Sequence, residues 1–393
     1  MHISILGRQP ALGMAELERL YGSESTRWFS NESATINSDT FDFDRLGGSI
    51  KAGRVVGELK GAWQDASKEI IAHFGPLWAE AGHKITLGIS AYGFTASARE
   101  VQKTGIILKQ LLKTHGITLR LVPNDFPALN TATSHHNKLG LSPNKVELLI
   151  VRSGSGSIII AESVGAQNIT AFAARDQARP HTDAFVGMLP PKLARIMLNL
   201  GGVSTSSDHA PVILDPFCGT GVILQEALLD GYTVVGSDLS PKMVDYTTRN
   251  LDWLQGRFHA DGAVQSIVEG DAMSYRWPNA RNIDAVVAET YLGQPFSAPP
   301  RPEKLAEVRR NCDHIIGDFL ENISSQIAPG TSLILAIPAW RNRDDTFTHL
   351  PLAHSFERNG LRPIELTHVA PDQLLYYREN QVVARELLLL TRV

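Results

Sequence analysis

Three acid-tipped turns follow one another in the second half of this chain. The first is Asp215-Pro216-Phe217-Cys218-Gly219-Thr220-Gly221, between the apolar run Val212-Ile213-Leu214 and the helical pattern Val222-Ile223-Leu224-Gln225-Glu226-Ala227. Glycines at such a turn let the backbone pass close to a ligand without a side chain in the way. The dinucleotide spacing G-x-G-x-x-G is absent, because Leu224 stands where its third glycine would fall. That argues against a pyrophosphate ligand. The second turn is Gly236-Ser237-Asp238-Leu239-Ser240-Pro241. An acid at the end of a second strand can accept hydrogen bonds from both hydroxyls of a ribose. A plainer role for Asp238 is to cap the next helix, although Ser240 suits that position and Pro241 suits the first turn. The third turn, Glu269-Gly270-Asp271-Ala272, offers an acid that can accept from an adenine amine. Any one of these is a common turn; the three in order point to a ligand that carries a nucleoside.

The elements that hold these turns are visible as pattern. Strands are expected at Val212–Asp215, Thr233–Asp238, Val264–Glu269, Ile283–Glu289, Ser332–Ile337, Pro363–Val369 and Val382–Leu390. Helices are expected between them, at Val222–Asp230, Pro241–Leu254, Glu303–Ile327 and Asp345–Asn359. Strands alternating with helices indicate a parallel sheet. The last two strands have no helix between them, so they form an antiparallel hairpin, and the whole is a seven-stranded Rossmann-like α/β domain. The first half reads as α+β. Strands are expected at His2–Leu6, Lys84–Ser90, Thr118–Val122, Val146–Arg152 and Ser157–Ser163, with helices at Gly13–Tyr21 and Ala96–Leu112. The turn Ser153-Gly154-Ser155-Gly156 joins the last two of these strands.

Composition bounds the setting. At 393 residues, two or three domains are expected. There are two cysteines, Cys218 and Cys312, and no paired-cysteine metal spacing. This fits a reducing, cytoplasmic compartment and leaves no metal expected; the pair His135-His136 reads as solvated. No secretory signal follows Met1, and no apolar run is long enough to span a bilayer. The formal net charge is −4, but residues 84–152 hold nine Lys and Arg against three acids, a local balance of +6. Lys84, Arg99, Lys103, Arg120 and Lys138 belong to this stretch and are candidate contacts to an RNA backbone.

The second half resembles the class I methyltransferases, and more closely the THUMP-domain tRNA methyltransferases that modify the exocyclic amine of guanosine. The resemblance is carried by Asp215 through Gly221 and by Arg175-Asp176, Arg179-Pro180 and Gly187 through Leu200, which is similar to that family's entry into its catalytic domain. It implies S-adenosyl-L-methionine as cofactor. Asp215, Pro216, Cys218, Gly219, Thr220 and Gly221 would line its methionine end. Asp238 and Leu239 would hold the ribose, Asp271 and Ala272 the adenine, and Lys192 one wall of the site. It further implies a ferredoxin-like domain over residues 1–74, a THUMP-like RNA-binding domain over 75–177, a linker over 178–188 and the methyltransferase domain over 189–393. tRNA is the implied partner, and a monomer is favoured.

One segment departs from the family's pattern. After the fourth strand the family carries an acid or amide, two prolines and an aromatic, whereas this chain has Ala288-Glu289-Thr290-Tyr291-Leu292-Gly293. Aligned on Gly293, Glu289 takes the acid position, Thr290 and Tyr291 replace the prolines and Leu292 replaces the aromatic; aligned on the aromatic, Tyr291 matches and Ala288 stands where the acid would be, and the first register is preferred. An exocyclic amine is a poor nucleophile, since its lone pair is delocalised into the ring. Transfer therefore needs acceptors that hold the amine in line with the donor methyl. Glu289 can accept and Tyr291 can stack on a flipped base, so Glu289, Thr290 and Tyr291 are the candidate catalytic segment. An adenine amino-methyltransferase is the nearest alternative, although it normally keeps the prolines. A non-catalytic RNA-binding protein is another, but it would have no need of three intact acids.

Overall fold

The computed structural model describes residues 1–183, 189–203, 210–379 and 381–393, and only the backbone of 353–355. It divides into two compact units, Met1–Ala171 and Phe172–Val393.

The first unit runs β1 (His2–Leu6), α1 (Pro10–Tyr21), β2 (Thr26–Ser30), β3 (Ser33–Ile36), β4 (Ser49–Lys60) and α2 (Trp63–Ala79). It continues through β5 (Ile85–Tyr92), α3 (Ala98–Thr114), β6 (Leu119–Leu121), α4 (Thr131–His136), β7 (Lys145–Arg152) and β8 (Ser157–Ala166). All eight strands form one sheet in the order β2-β3-β1-β4-β8-β7-β5-β6. A boundary at 74/75 is therefore not what the chain adopts. The helix α2 runs straight through that point, and β4 pairs with β8 from Lys51 to Lys60, so strands from both sides share a sheet. A buried ion pair helps to explain the join: Lys51 on β4 reaches Glu147 on β7 at 2.5 Å, and both side chains are excluded from solvent. Gly53 lets β8 approach, since a Cβ there would lie 2.9 Å from the Glu162 carbonyl oxygen.

In the second unit α5 (Ile169–Gln177), which spans the division, is followed by α6 (Pro191–Leu200), β9 (Val212–Asp215), α7 (Val222–Leu229), β10 (Thr233–Asp238), α8 (Pro241–Arg257) and β11 (Ala263–Glu269). Then come β12 (Ala285–Glu289), α9 (Pro302–Ser324), β13 (Ser332–Arg341), β14 (Phe347–Thr348), α10 (Ala353–Arg358), β15 (Leu361–Pro363), β16 (Leu375–Tyr376) and β17 (Val383–Arg392). The main path of this sheet is β11-β10-β9-β12-β13-β17-β15. The strands from β9 to β13 are parallel, and β17 is antiparallel to both β13 and β15. This is the expected seven-stranded Rossmann-like order. The helix expected at Asp345–Asn359 is reduced to α10 because its first half forms the short strand β14 against β13. The strand expected at Pro363–Val369 ends at Pro363. Much of the expected linker, residues 184–188, lies outside the described residues, and Gly187 and Met188 of the family-like entry segment lie there with it.

A central strand buried on both faces must be apolar throughout, and α7, with Val222 through Leu228 buried, is apolar but for Gln225 and Glu226. The one acid in that run, Glu226, is satisfied by Arg175 at 2.5 Å and Arg195 at 2.9 Å, so α5, α6 and α7 are fastened at one buried carboxylate.

Candidate functional site

The carboxyl ends of β9, β10, β11 and β12 open onto one cavity of about 480 Å3 in the second unit. Its walls include Asp215, Pro216, Cys218, Gly219, Thr220, Asp238, Leu239, Asp271, Ala272, Glu289, Thr290 and Tyr291. Two residues expected here do not line it. Lys192 on α6 instead places its ammonium 5.6 Å from the ring centre of Phe172, and burial pulls that ammonium below the usual lysine range. Gly221 acts through its backbone: it sits at φ +81°, where it caps α7, and a Cβ would come 3.0 Å from Thr247. The cavity also takes Leu189 and Phe217, which lie within the family-like segments, and Met273 and Ile315, apolar residues that no chemical motif marks in advance.

The turn after β9 is held by bonds that the sequence pattern did not announce. The Asp215 carboxylate accepts from the Phe217 N–H at 3.1 Å, and the Cys218 N–H donates to the Ser237 carbonyl at 2.9 Å. From α8, the Thr247 hydroxyl donates to the Gly219 carbonyl at 2.8 Å and Asn250 donates to the Thr220 carbonyl at 2.9 Å. Asn250 also donates to the His181 carbonyl at 2.9 Å and accepts from the His181 N–H at 3.0 Å. The incoming chain, α8 and the turn therefore meet at one buried amide. Hydrophilic positions at Thr247 and Asn250 on an otherwise exposed-looking helix were the available signal, and it was too weak to read.

Asp238 does two things at once. One carboxylate oxygen accepts from the Gly219 N–H at 2.9 Å and the other from the Ser240 N–H at 2.9 Å. Each oxygen keeps a second lone pair for a diol. The capping role and the ligand role are thus compatible, and Asp238 itself, rather than Ser240, supplies the local side-chain bond. Asp271 accepts from the Met273 N–H at 2.9 Å, which shapes the turn under Ala272. Burial, with Asp238 and Glu289 nearby, lifts the Asp215 carboxyl well above the usual carboxylate range. Burial likewise raises the Cys218 thiol, which leaves it protonated and unreactive.

The departing segment has its own order. Thr290 is 4% exposed, and its N–H and hydroxyl both donate to the Ala336 carbonyl, at 3.0 and 3.1 Å. Thr290 is therefore a backbone clamp whose hydroxyl is already engaged. Tyr291 is 40% exposed at the cavity wall, where its ring is free to meet a planar partner. Glu289 lines the cavity and is paired with Arg385 of β17.

In the first unit Lys84, Arg99, Lys103, Arg120 and Lys138 are all exposed. They do not gather into one cluster: Lys84 precedes β5 and Arg99 follows it, so these two stand at opposite ends of that strand. Arg120 reaches the Asn137 side chain at 3.3 Å, beside Lys138. Among the described residues no helix is long and apolar enough to cross a membrane, and no group of three metal-ligating side chains converges.

A methyltransferase domain family matches residues 213–314. The tRNA (guanine(10)-N2)-dimethyltransferase of Methanothermobacter thermautotrophicus is 37% identical over 165 residues, covering 42% of this chain and 43% of that enzyme. A probable tRNA (guanine(10)-N2)-dimethyltransferase of Methanothermococcus thermolithotrophicus is 31% identical over 115 residues, covering 29% of this chain and 68% of that protein. The crystal structure of TrmN from Thermus thermophilus is a likeness of fold, with a TM-score of 0.50 and 16% identity over 100% of this chain and 99% of that one. The chain thus matches less than half the length of the Methanothermobacter enzyme.

Proposed function

This chain belongs to the tRNA guanine methyltransferase family, and from that premise we propose that it transfers a methyl group from S-adenosyl-L-methionine to the exocyclic amine of a guanosine in tRNA. The observation that carries the proposal is a single cavity that holds, on successive strand ends, the acids suited to a nucleoside and, on the next strand, an acceptor beside an exposed aromatic.

The donor set suits this cofactor. The cavity gathers the carboxyls of Asp215, Asp238, Asp271 and Glu289, whose ionised forms suit a ligand bearing an ammonium and a sulfonium better than one bearing a pyrophosphate. Asp215 would face the methionine ammonium, Asp238 the ribose hydroxyls, and Asp271 with the buried Ala272 the adenine. The cofactor supplies an electrophilic methyl on a cationic sulfur.

The chain's own residues then do the positioning. Guanine presents an amine donor next to a ring N–H donor, so one carboxylate oxygen of Glu289, with two lone pairs, can accept from both, whereas adenine offers an acceptor at the second place. Holding the amine hydrogens turns its lone pair toward the methyl, and as positive charge develops on nitrogen the carboxylate stabilises it. Tyr291 offers a face for the flipped base. Thr290 holds the backbone between them where the family has prolines. The exposed cations of the first unit, read as a THUMP-like region, supply affinity for the phosphate backbone. A tRNA substrate and two free cysteines fit a reducing, cytoplasmic setting. Incubation of the protein with labelled S-adenosylmethionine and unmodified tRNA tests this reading: label must pass to the RNA.

A further inference from the structure

We propose that Arg385 is the positioning residue for Glu289, tying down one carboxylate oxygen so that the other is left as the acceptor for the target amine. This rests on the methyltransferase reading above. The Nε of Arg385 donates to Oε1 of Glu289. Among the described residues Oε2 has no hydrogen-bond partner, and it is not one of the buried unpartnered polar atoms, so solvent reaches it; Glu289 lines the cavity, and we take Oε2 as the oxygen presented there. One carboxylate thus has a fixed end and a presented end.

The sheet register explains how a residue near the C-terminus comes to do this. Glu289, the last residue of β12, stands beside Ala336 on β13, and Ala336 stands beside Leu387 on β17. Arg385 lies two residues beyond Leu387 on the same face, past the point where β12 ends, so its side chain can turn back over the strand end. Its neighbour Glu386 faces the other way and meets His349 at 2.8 Å, so it does not compete for the guanidinium. The side chains of Arg385 and Glu289 are 8% and 16% exposed.

The pair answers the departure from the family's motif. A glutamate has one more rotatable bond than an aspartate, and two prolines are missing, so both the side chain and the backbone need another restraint. Thr290 supplies the backbone restraint through its two bonds to Ala336. Arg385 supplies the side-chain restraint. It also sets a cation beside one of the carboxylates that line the cavity.

The test is a double-mutant cycle on methyl transfer to unmodified tRNA, using the full chain. Arg385→Met is expected to lower kcat about a hundredfold and Arg385→Lys about tenfold, because the lysine keeps the charge without the fork. KM for S-adenosylmethionine should stay within about twofold, since no cofactor contact is lost. In a Glu289→Gln background, Arg385→Met should cost less than about twofold further, because its partner's role is already gone. Equal losses in both backgrounds would make Arg385 a structural prop and overturn the proposal, as would wild-type kcat in Arg385→Met. Should Arg385→Met fail to fold, the lysine variant in the two backgrounds gives the same comparison. A wild-type protein that binds S-adenosylhomocysteine but methylates no tRNA contradicts the substrate reading itself, and with it this proposal, before any variant is made.

Discussion

The side chain of Asn250 donates to the carbonyl of Thr220 at 2.9 Å, which ties the middle of α8 to the turn that follows β9. The same amide exchanges two bonds with the backbone of His181. Replacing it with alanine leaves buried backbone groups unpaired. Asn250→Ala is expected to cost about 1–3 kcal/mol of stability, read by urea denaturation, and to weaken S-adenosylhomocysteine binding by calorimetry. Unchanged values in both would remove this tie from the account.

Asp238 offers the ribose two oxygens that the backbone has already oriented. Asp238→Ala should weaken S-adenosylmethionine binding by about 1–3 kcal/mol, the range for losing hydrogen bonds to a charged acceptor. The unsubstituted protein should not bind NAD, whose pyrophosphate would meet an acidic cavity. Calorimetric detection of NAD binding, or full affinity in the variant, contradicts the assignment.

Asp215 carries a pH prediction. Burial lifts its carboxyl well above the usual range in the folded protein. A raised carboxyl holds its proton longer when folded, so its contribution to stability is present below the unfolded value and is lost as pH rises through the folded one. A cationic cofactor favours the ionised form. Binding therefore releases this proton, and S-adenosylmethionine affinity should rise with pH across that same window. Calorimetry over a pH series checks it: Asp215→Asn should bind more weakly and with a flatter pH dependence. The same slope in the variant would assign it to another group.

The first unit carries the local excess of basic residues, so tRNA affinity should fall steeply with salt, as counterion release requires. A fragment beginning at Ile169 keeps Arg175 for its bond to Glu226. It should retain S-adenosylhomocysteine binding and lose most of its affinity for tRNA in a filter-binding assay. Equal tRNA affinity in the fragment and the full chain would reassign RNA recognition to the second unit.

Local pattern carried some features into view and hid others. Strands β9 and β10 were legible to the residue because a buried parallel strand is an apolar run ending in a polar turn, and the acids at their tips mark the cavity. The strand β4 was not legible: its glycines and Lys51 break the alternation, and the lysine is buried only because Glu147, 96 positions away, receives it. Without β4, the sheet that unites the first unit looked like two domains. The ion pair of Glu289 with Arg385 was hidden for the same reason, since their positions also differ by 96 and only the register of β13 and β17 brings them together. Lys192 was carried into the site by resemblance alone, and the fold turns it toward Phe172.

The central claim is that the target is the exocyclic amine of a guanosine in tRNA. Mass spectrometry of nucleosides, after unmodified tRNA is incubated with the full chain and S-adenosylmethionine, tests it most directly. The account predicts a guanosine gaining one or two methyl groups on its exocyclic nitrogen, formed about a hundredfold more slowly in Glu289→Gln controls. Methylated adenosine with unmodified guanosine, or methylguanosine formed as readily by the Glu289→Gln variant, would contradict it.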